Sequence, residues 1–222
     1  MIVLSLRHLN SHLFLELADG LWMHDTGAPA SFGGSPSLRI LDQDFGIPDD
    51  YMGLNARELS ELVGVDCRGL LGADVLGAFD QIIDVPAGRL TLSTEPIEHS
   101  GNAVVLEEFM GIPIISPSVN GEQFRLFFDT GAQVSYLQDD LLASFPEAGM
   151  LEDFYPGFGK FETMTHLVPF RLASTDRTFR CGRLPGLLGL SLMMADTQGI
   201  LGNAILESGP VGYFPRRGVL SL

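Results

Sequence analysis

Two aspartates open the same tetrapeptide in this chain, Asp25-Thr26-Gly27-Ala28 and Asp129-Thr130-Gly131-Ala132. Each follows an apolar run, Leu21-Trp22-Met23 in one case and Leu126-Phe127-Phe128 in the other. A single copy is an ordinary turn composition. Two copies, each ending a strand-like run, suggest two carboxyls brought face to face by an internal duplication. Carboxyls about 3 Å apart cannot both ionise cheaply, so they share a proton and titrate as a pair. The ionised member can take a proton from a water held between them. Its protonated partner can polarise an amide carbonyl and later protonate the leaving amine. Gly27 and Gly131 permit tight turns and let backbone N–H groups approach the carboxylates. A hydroxyl from Thr26 or Thr130 can bond across to the opposite loop.

Positioning such a pair needs two equivalent supports, and the repeat extends well beyond the tetrapeptides. Each half opens with an apolar strand, Ile2 to Leu6 and Ala103 to Leu106, followed by a turn at Ala18-Asp19-Gly20 and Val119-Asn120-Gly121. Each later has an apolar pair and a glycine, Leu70-Leu71-Gly72 and Ile200-Leu201-Gly202. From these glycines to the closing leucines, Leu92 and Leu222, is 20 positions in both halves, and to Gly88 and Gly218 it is 16. The equal distances select Gly202 over the similar Gly186-Leu187-Leu188-Gly189. The stretch from Asp25 to Gly72 is 47 positions and that from Asp129 to Gly202 is 73, so the second half carries an excess of 26 near Arg171 to Thr197. The organisation is therefore a unit at 1–94, a linker at 95–102 rich in Pro, Gly and polar residues, and a unit at 103–222. Short strands punctuated by Gly and Pro read as all-β. One helix is expected from the Asn55 cap to Val63, with Glu58 three residues on and Gly64 after it. Another is expected from Gln138 to Phe145, stopped by Pro146. The first and last strands of each half (2–6, 89–93, 103–106 and 219–222) are expected to pair into a sheet joining the halves.

Composition narrows the function classes. With 28 acidic and 13 basic residues the net charge is −15, which disfavours nucleic acid and anionic membrane surfaces as partners. No apolar window reaches a membrane span, and the N-terminus lacks a basic signal region, so a cytoplasmic protein is expected. Cys67 and Cys181 show no metal or redox spacing and read as buried free thiols. His24 precedes Asp25 and, by strand alternation, points away from it as a structural histidine. That orientation speaks against a metal site built from Asp25, Asp129 and His24, so neither metal nor cofactor is expected.

These residues resemble the aspartic protease family. Asp-Thr-Gly after an apolar strand, then two apolar residues and a Gly late in the unit, is its pattern. The Ala at 28 and 132 is similar to the retroviral type, and the chain looks like a retropepsin dimer fused into one polypeptide. The resemblance implies a pepsin- or retropepsin-like fold, with two pseudo-symmetric β lobes around a central cleft. It implies Asp25 and Asp129 as the catalytic dyad, with the loops of Thr26, Gly27, Ala28, Thr130, Gly131 and Ala132 in support. Gly72 and Gly202 would lie where the chain threads behind each loop. The activity implied is endopeptidase cleavage of an extended peptide by a monomer. The rival reading is a non-catalytic peptide-binding or scaffold module on the same fold. Covering hairpins are sought at 31–52 in the first half and at 155–170 in the second. Their candidate features are Phe32-Gly33-Gly34, Asp44-Phe45-Gly46, and a tip at Tyr155 to Phe161. The apolar run 186–194 is expected in the core.

Overall fold

Alternation of apolar residues makes Ile2–Leu9, His12–Leu17 and Gly20–His24 an antiparallel meander. One face carries Leu6, Leu13, Leu15 and Trp22 into the main core, and the other carries Phe14 and Met23 into a smaller cluster. Burial on both faces fits the apolar Leu13-Phe14-Leu15 and Trp22-Met23 runs of the second and third strands, whereas Ile2–Leu9 is largely exposed apart from Leu6. The computed structural model describes residues 1–155 and 158–222, without the side chains of Leu187, Leu188, Leu190 and Ser191. It is mostly strand, arranged as two large sheets with two separate short hairpins. Among the described residues no helix is long and apolar enough to cross a membrane.

The same local construction occurs in both halves. Gly69–Leu71 runs parallel to Gly20–His24, and Gly199–Leu201 runs parallel to Leu126–Phe128. The amide of Asp25 donates to the Leu71 carbonyl and that of Asp129 to Leu201, each at 3.0 Å. Gly72 and Gly202 come next in the chain, and a Cβ on either would strike the backbone of the passing loop, at Ala28 and Ala30 or at Ala132 and Val134. Only glycine lets the two segments approach so closely. Gly202, rather than Gly189, is thus the counterpart of Gly72. Leu6 N donates to Gly88 O and Leu106 N to Gly218 O, both at 2.9 Å, which ties each opening strand to its closing one.

The joint between the halves differs from the expectation. The opening and closing strands do enter a common sheet, in the order Ala103–Val105, Val219–Ser221, Val211–Phe214, Asp80–Asp84, Arg89–Ser93, Ile2–Leu9. The pair that crosses between halves is Asp80–Asp84 with Val211–Phe214, registered Gln81↔Tyr213 and Ile83↔Val211. Burying Asp80 in that seam is made tolerable by Arg216 and Arg217, at 3.1 and 2.7 Å. One continuous core fills the space beneath, with Phe79, Ile83, Phe128 and Tyr213 among its members.

The helix Ala56–Val63 forms with the expected Asn55–Glu58 capping box and a left-handed Gly64. Asp140–Ser144 is only a short 3-10 turn capped by Asp139, too brief for the second expected helix. The excess in the second half holds the strand Thr175–Gly182 and the helix Gly186–Met194. Core burial of that apolar run holds for Leu192, but Met193 and Met194 are 74% and 78% exposed, because the helix lies at the surface.

Hairpins form around both stretches where covering elements are expected. Asp50–Tyr51 and Leu54–Asn55 make a short one in the first half. Ser37–Ile40 and Gln43–Gly46 make another, but its Leu38 and Phe45 pack on the main core. In the second half, Glu147–Tyr155 pairs with the 14-residue strand Gly159–Leu172. Of the expected tip, Pro156 and Gly157 lie outside the described residues.

Candidate active site

Each aspartate sits where its strand ends and its loop turns back. Asp25 Oδ1 accepts from Gly27 N at 2.9 Å and Ala28 N at 3.0 Å. Asp129 Oδ1 accepts from Gly131 N at 2.8 Å and Ala132 N at 3.1 Å. Each loop thus orients its own carboxyl with its own amides. The loops also interlock. A Cβ on Gly27 would collide with the carboxyl of Asp129, and one on Gly131 with that of Asp25. Each carboxyl therefore lies directly over the opposite loop's glycine, and glycine is required there by space alone.

The threonines fix this approach. Thr26 Oγ1 donates to Phe128 O at 2.6 Å and accepts from Thr130 N at 3.0 Å. Reciprocally, Thr130 Oγ1 donates to His24 O at 3.0 Å and accepts from Thr26 N at 3.0 Å. Both hydroxyls are fully buried, so these four bonds have no competing water. Residues 104 positions apart in sequence are held in register as a single unit.

The carboxyls are coupled. Burial raises Asp25 well above the ordinary carboxyl range, helped by the charge of Asp129 and a hydrogen bond between the two. Burial also raises Asp129, while the bond from Asp25 and the loop amides pull the other way. Two carboxyls in this arrangement retain one proton between them.

The pair opens onto a cavity of about 330 Å³, lined mainly by apolar and aromatic side chains from both halves. Met23, Tyr51 and Leu54 line it on one side, and Ile112, Phe127 and Leu184 on the other. The long hairpin lies across it. Alternation sends Phe154 into the first half's cluster with Leu54 and Leu59, and sends Leu151 and Phe161 into the second half's cluster with Tyr136.

Sequence reading singled out Asp25, Thr26, Gly27, Ala28 and their counterparts Asp129, Thr130, Gly131 and Ala132, and the fold brings all eight together. His24 is close to them, but its ring points away from the carboxyls. Its Nδ1 is 2.8 Å from Thr130 Oγ1 and its Nε2 is 2.9 Å from Gln81 Oε1, and it is fully buried. Burial pushes it down to about 4, so it is neutral at pH values above that. Among the described residues no group of three His, Cys, Asp or Glu is placed to hold a metal ion.

Among the cavity residues that were not singled out from sequence are His12, Tyr136, Asp153 and Phe154. His12 Nδ1 is 3.0 Å from Gly131 O, which can only accept, so this nitrogen carries the proton and Nε2 keeps its lone pair. Tyr136 donates its hydroxyl to Asp153 Oδ2, and Phe154 N donates to Asp153 Oδ1. One clue existed for His12. The register of His12–Leu17 with Gly20–His24, extended two steps beyond Phe14↔Met23, sets it opposite Asp25. The corresponding residue opposite Asp129 is Ile112. The two sides of the cavity are therefore chemically unequal.

The chain matches no protein-family model and no curated protein sequence.

Proposed function

We propose that this chain is an aspartic endopeptidase, a single-chain relative in design of the retropepsin dimer, with two β lobes around the cleft. One observation carries the proposal: the reciprocal Thr26 and Thr130 hydrogen bonds that hold Asp25 and Asp129 over each other's glycines. Two buried acids in contact cost stability, and an arrangement that enforces such contact from both sides is accounted for by shared-proton chemistry.

In the proposed reaction an extended peptide lies beneath the long hairpin. The ionised carboxylate takes a proton from a water between the two acids. The water oxygen bonds to the scissile carbonyl carbon as the other carboxyl gives its proton to the carbonyl oxygen. Collapse of the tetrahedral species returns that proton to the pair, the amide nitrogen gains one, and the C–N bond breaks. The loop amides orient the carboxyls, and the covering hairpin limits the water that reaches them. Two acids and one water suffice, so the proposal requires no cofactor.

A statine-type peptide, whose hydroxyl takes the place of the attacking water, tests the reading through binding. It is expected to raise the thermal midpoint of the wild-type chain and to bind at least about a hundredfold tighter than the matching substrate peptide. Equal affinity for the two would contradict the proposal.

A further inference from the structure

The cleft carries a third carboxyl that the dyad does not need. Asp153 projects from the covering hairpin toward the second half, opposite Phe161 in the hairpin register, and is 8% exposed. It lines the same cavity as Asp25 and Asp129. Among the described residues it accepts hydrogen bonds from Tyr136 Oη and Phe154 N, both neutral donors. No ion pair among the described residues includes it. Among the described residues the lining contains no lysine or arginine, and burial lowers its histidine, His12, from the ordinary imidazole value, which disfavours the charged form. A carboxylate has about four acceptor positions, more than these donors occupy.

We propose that Asp153 is a specificity-determining residue, which makes the cleft select peptides bearing an arginine or lysine in the pocket beneath the hairpin. This rests on the reading of the cleft as a peptide site. A buried carboxylate without a cation is costly, and an incoming guanidinium or ammonium relieves that cost where a neutral side chain does not. The surroundings suit such a group along its length. Tyr136 and Phe161, with ring centroids 6.2 Å apart, offer aromatic faces near the carboxylate. The apolar lining accommodates a methylene stem. The negative charge of the dyad and of the whole chain adds long-range attraction for a cationic peptide. Asp153 is held against Tyr136 of the second half, so the preference belongs to one side of the scissile bond.

The test compares arginine with citrulline, which has nearly the same shape and no charge, at each position of a scanned peptide set. For the wild-type chain, kcat/KM is expected to favour arginine over citrulline at one position by on the order of 30-fold or more. In Asp153→Asn that ratio is expected to collapse toward one, and in Asp153→Glu to recover in part. Binding is read separately by fluorescence anisotropy on the Asp25→Asn chain, which would hold the peptides uncut. If the wild-type chain cleaves nothing, but bound arginine peptides are preferred and Asp153→Asn removes the preference, selectivity stands and the hydrolytic reading falls. Cleavage or binding with arginine and citrulline equal at every position overturns the inference. Neither cleavage nor binding of any peptide overturns both. The wild-type comparison needs no variant and so does not depend on how a substituted chain folds.

Discussion

His24 Nδ1 lies 2.8 Å from Thr130 Oγ1, whereas the corresponding position before the second aspartate is Phe128. The two halves of the threonine lock are therefore unequal. Gln81 Nε2 donates to Leu76 O, which leaves Gln81 Oε1 to accept from His24 Nε2. His24 Nδ1 then holds a lone pair, and the single proton of the Thr130 hydroxyl is shared between that nitrogen and His24 O.

Burial lowers His24 from 6.5 to about 4. Between these values the unfolded chain binds the extra proton and the folded chain does not. The contribution is thus fully present above about pH 6.5 and is lost as pH falls through about 4. Its size is on the order of 3 kcal/mol. Urea unfolding of the wild-type chain and His24→Phe from pH 7 to 4 is expected to show the difference between them shrinking or reversing by that amount as pH falls. Parallel curves would contradict this assignment.

Removing the threonine hydroxyls should be costly, and unequally so. Thr26→Val leaves Thr130 N and Phe128 O without partners. Thr130→Val leaves Thr26 N, His24 O and His24 Nδ1 without theirs. Losses of roughly 2–5 kcal/mol are expected, larger for Thr130→Val. In the double variant with His24→Phe, the combined loss is expected to fall short of the sum by about 1 kcal/mol. A double-mutant cycle by denaturant unfolding measures this.

Tyr213 lies in the seam between halves, its ring 5.8 Å from that of Phe128, and its buried hydroxyl has no hydrogen-bond partner among the described residues. Tyr213→Phe removes that orphan and keeps the ring. Stabilisation by about 1 kcal/mol is expected, read as a higher thermal midpoint. A clear loss of stability would mean that the hydroxyl is satisfied after all.

Much of this architecture is legible in the sequence because it rests on spacing. Equal distances from Gly72 and Gly202 to the closing strands identified the threading glycines, and Asn55, Glu58 and Gly64 announced a helix through local capping. The seam was harder to see. Asp80 and Gln81 interrupt the apolar alternation of their strand, and they are tolerated only because Arg216, Arg217 and His24 meet them from elsewhere in the chain. Asp153 was hidden for a related reason. It is one of 28 acidic residues, and only the pairing of a long hairpin carries it into the cleft. Met193 and Met194 read as core because apolar composition does not say which side of a short surface helix faces outward.

The raised dyad also sets an expectation for pH. With both carboxyls raised and one proton shared between them, kcat/KM is expected to fall on the acid side as the ionised member gains a proton, and on the alkaline side, above the ordinary carboxyl value of about 4, as the shared proton leaves. An alkaline limb centred at or below the ordinary carboxyl value would contradict the coupling.

In the proposed reaction Asp25 and Asp129 together activate one water. Its most direct test is the rate of peptide-bond cleavage by the wild-type chain, Asp25→Asn and Asp129→Asn, on a mixed peptide library, with folding verified by circular dichroism. Cleavage by the wild-type chain is expected, with a fall of at least about a thousandfold in either folded variant. Undiminished cleavage by Asp129→Asn, or none by the wild-type chain at any pH, would contradict it.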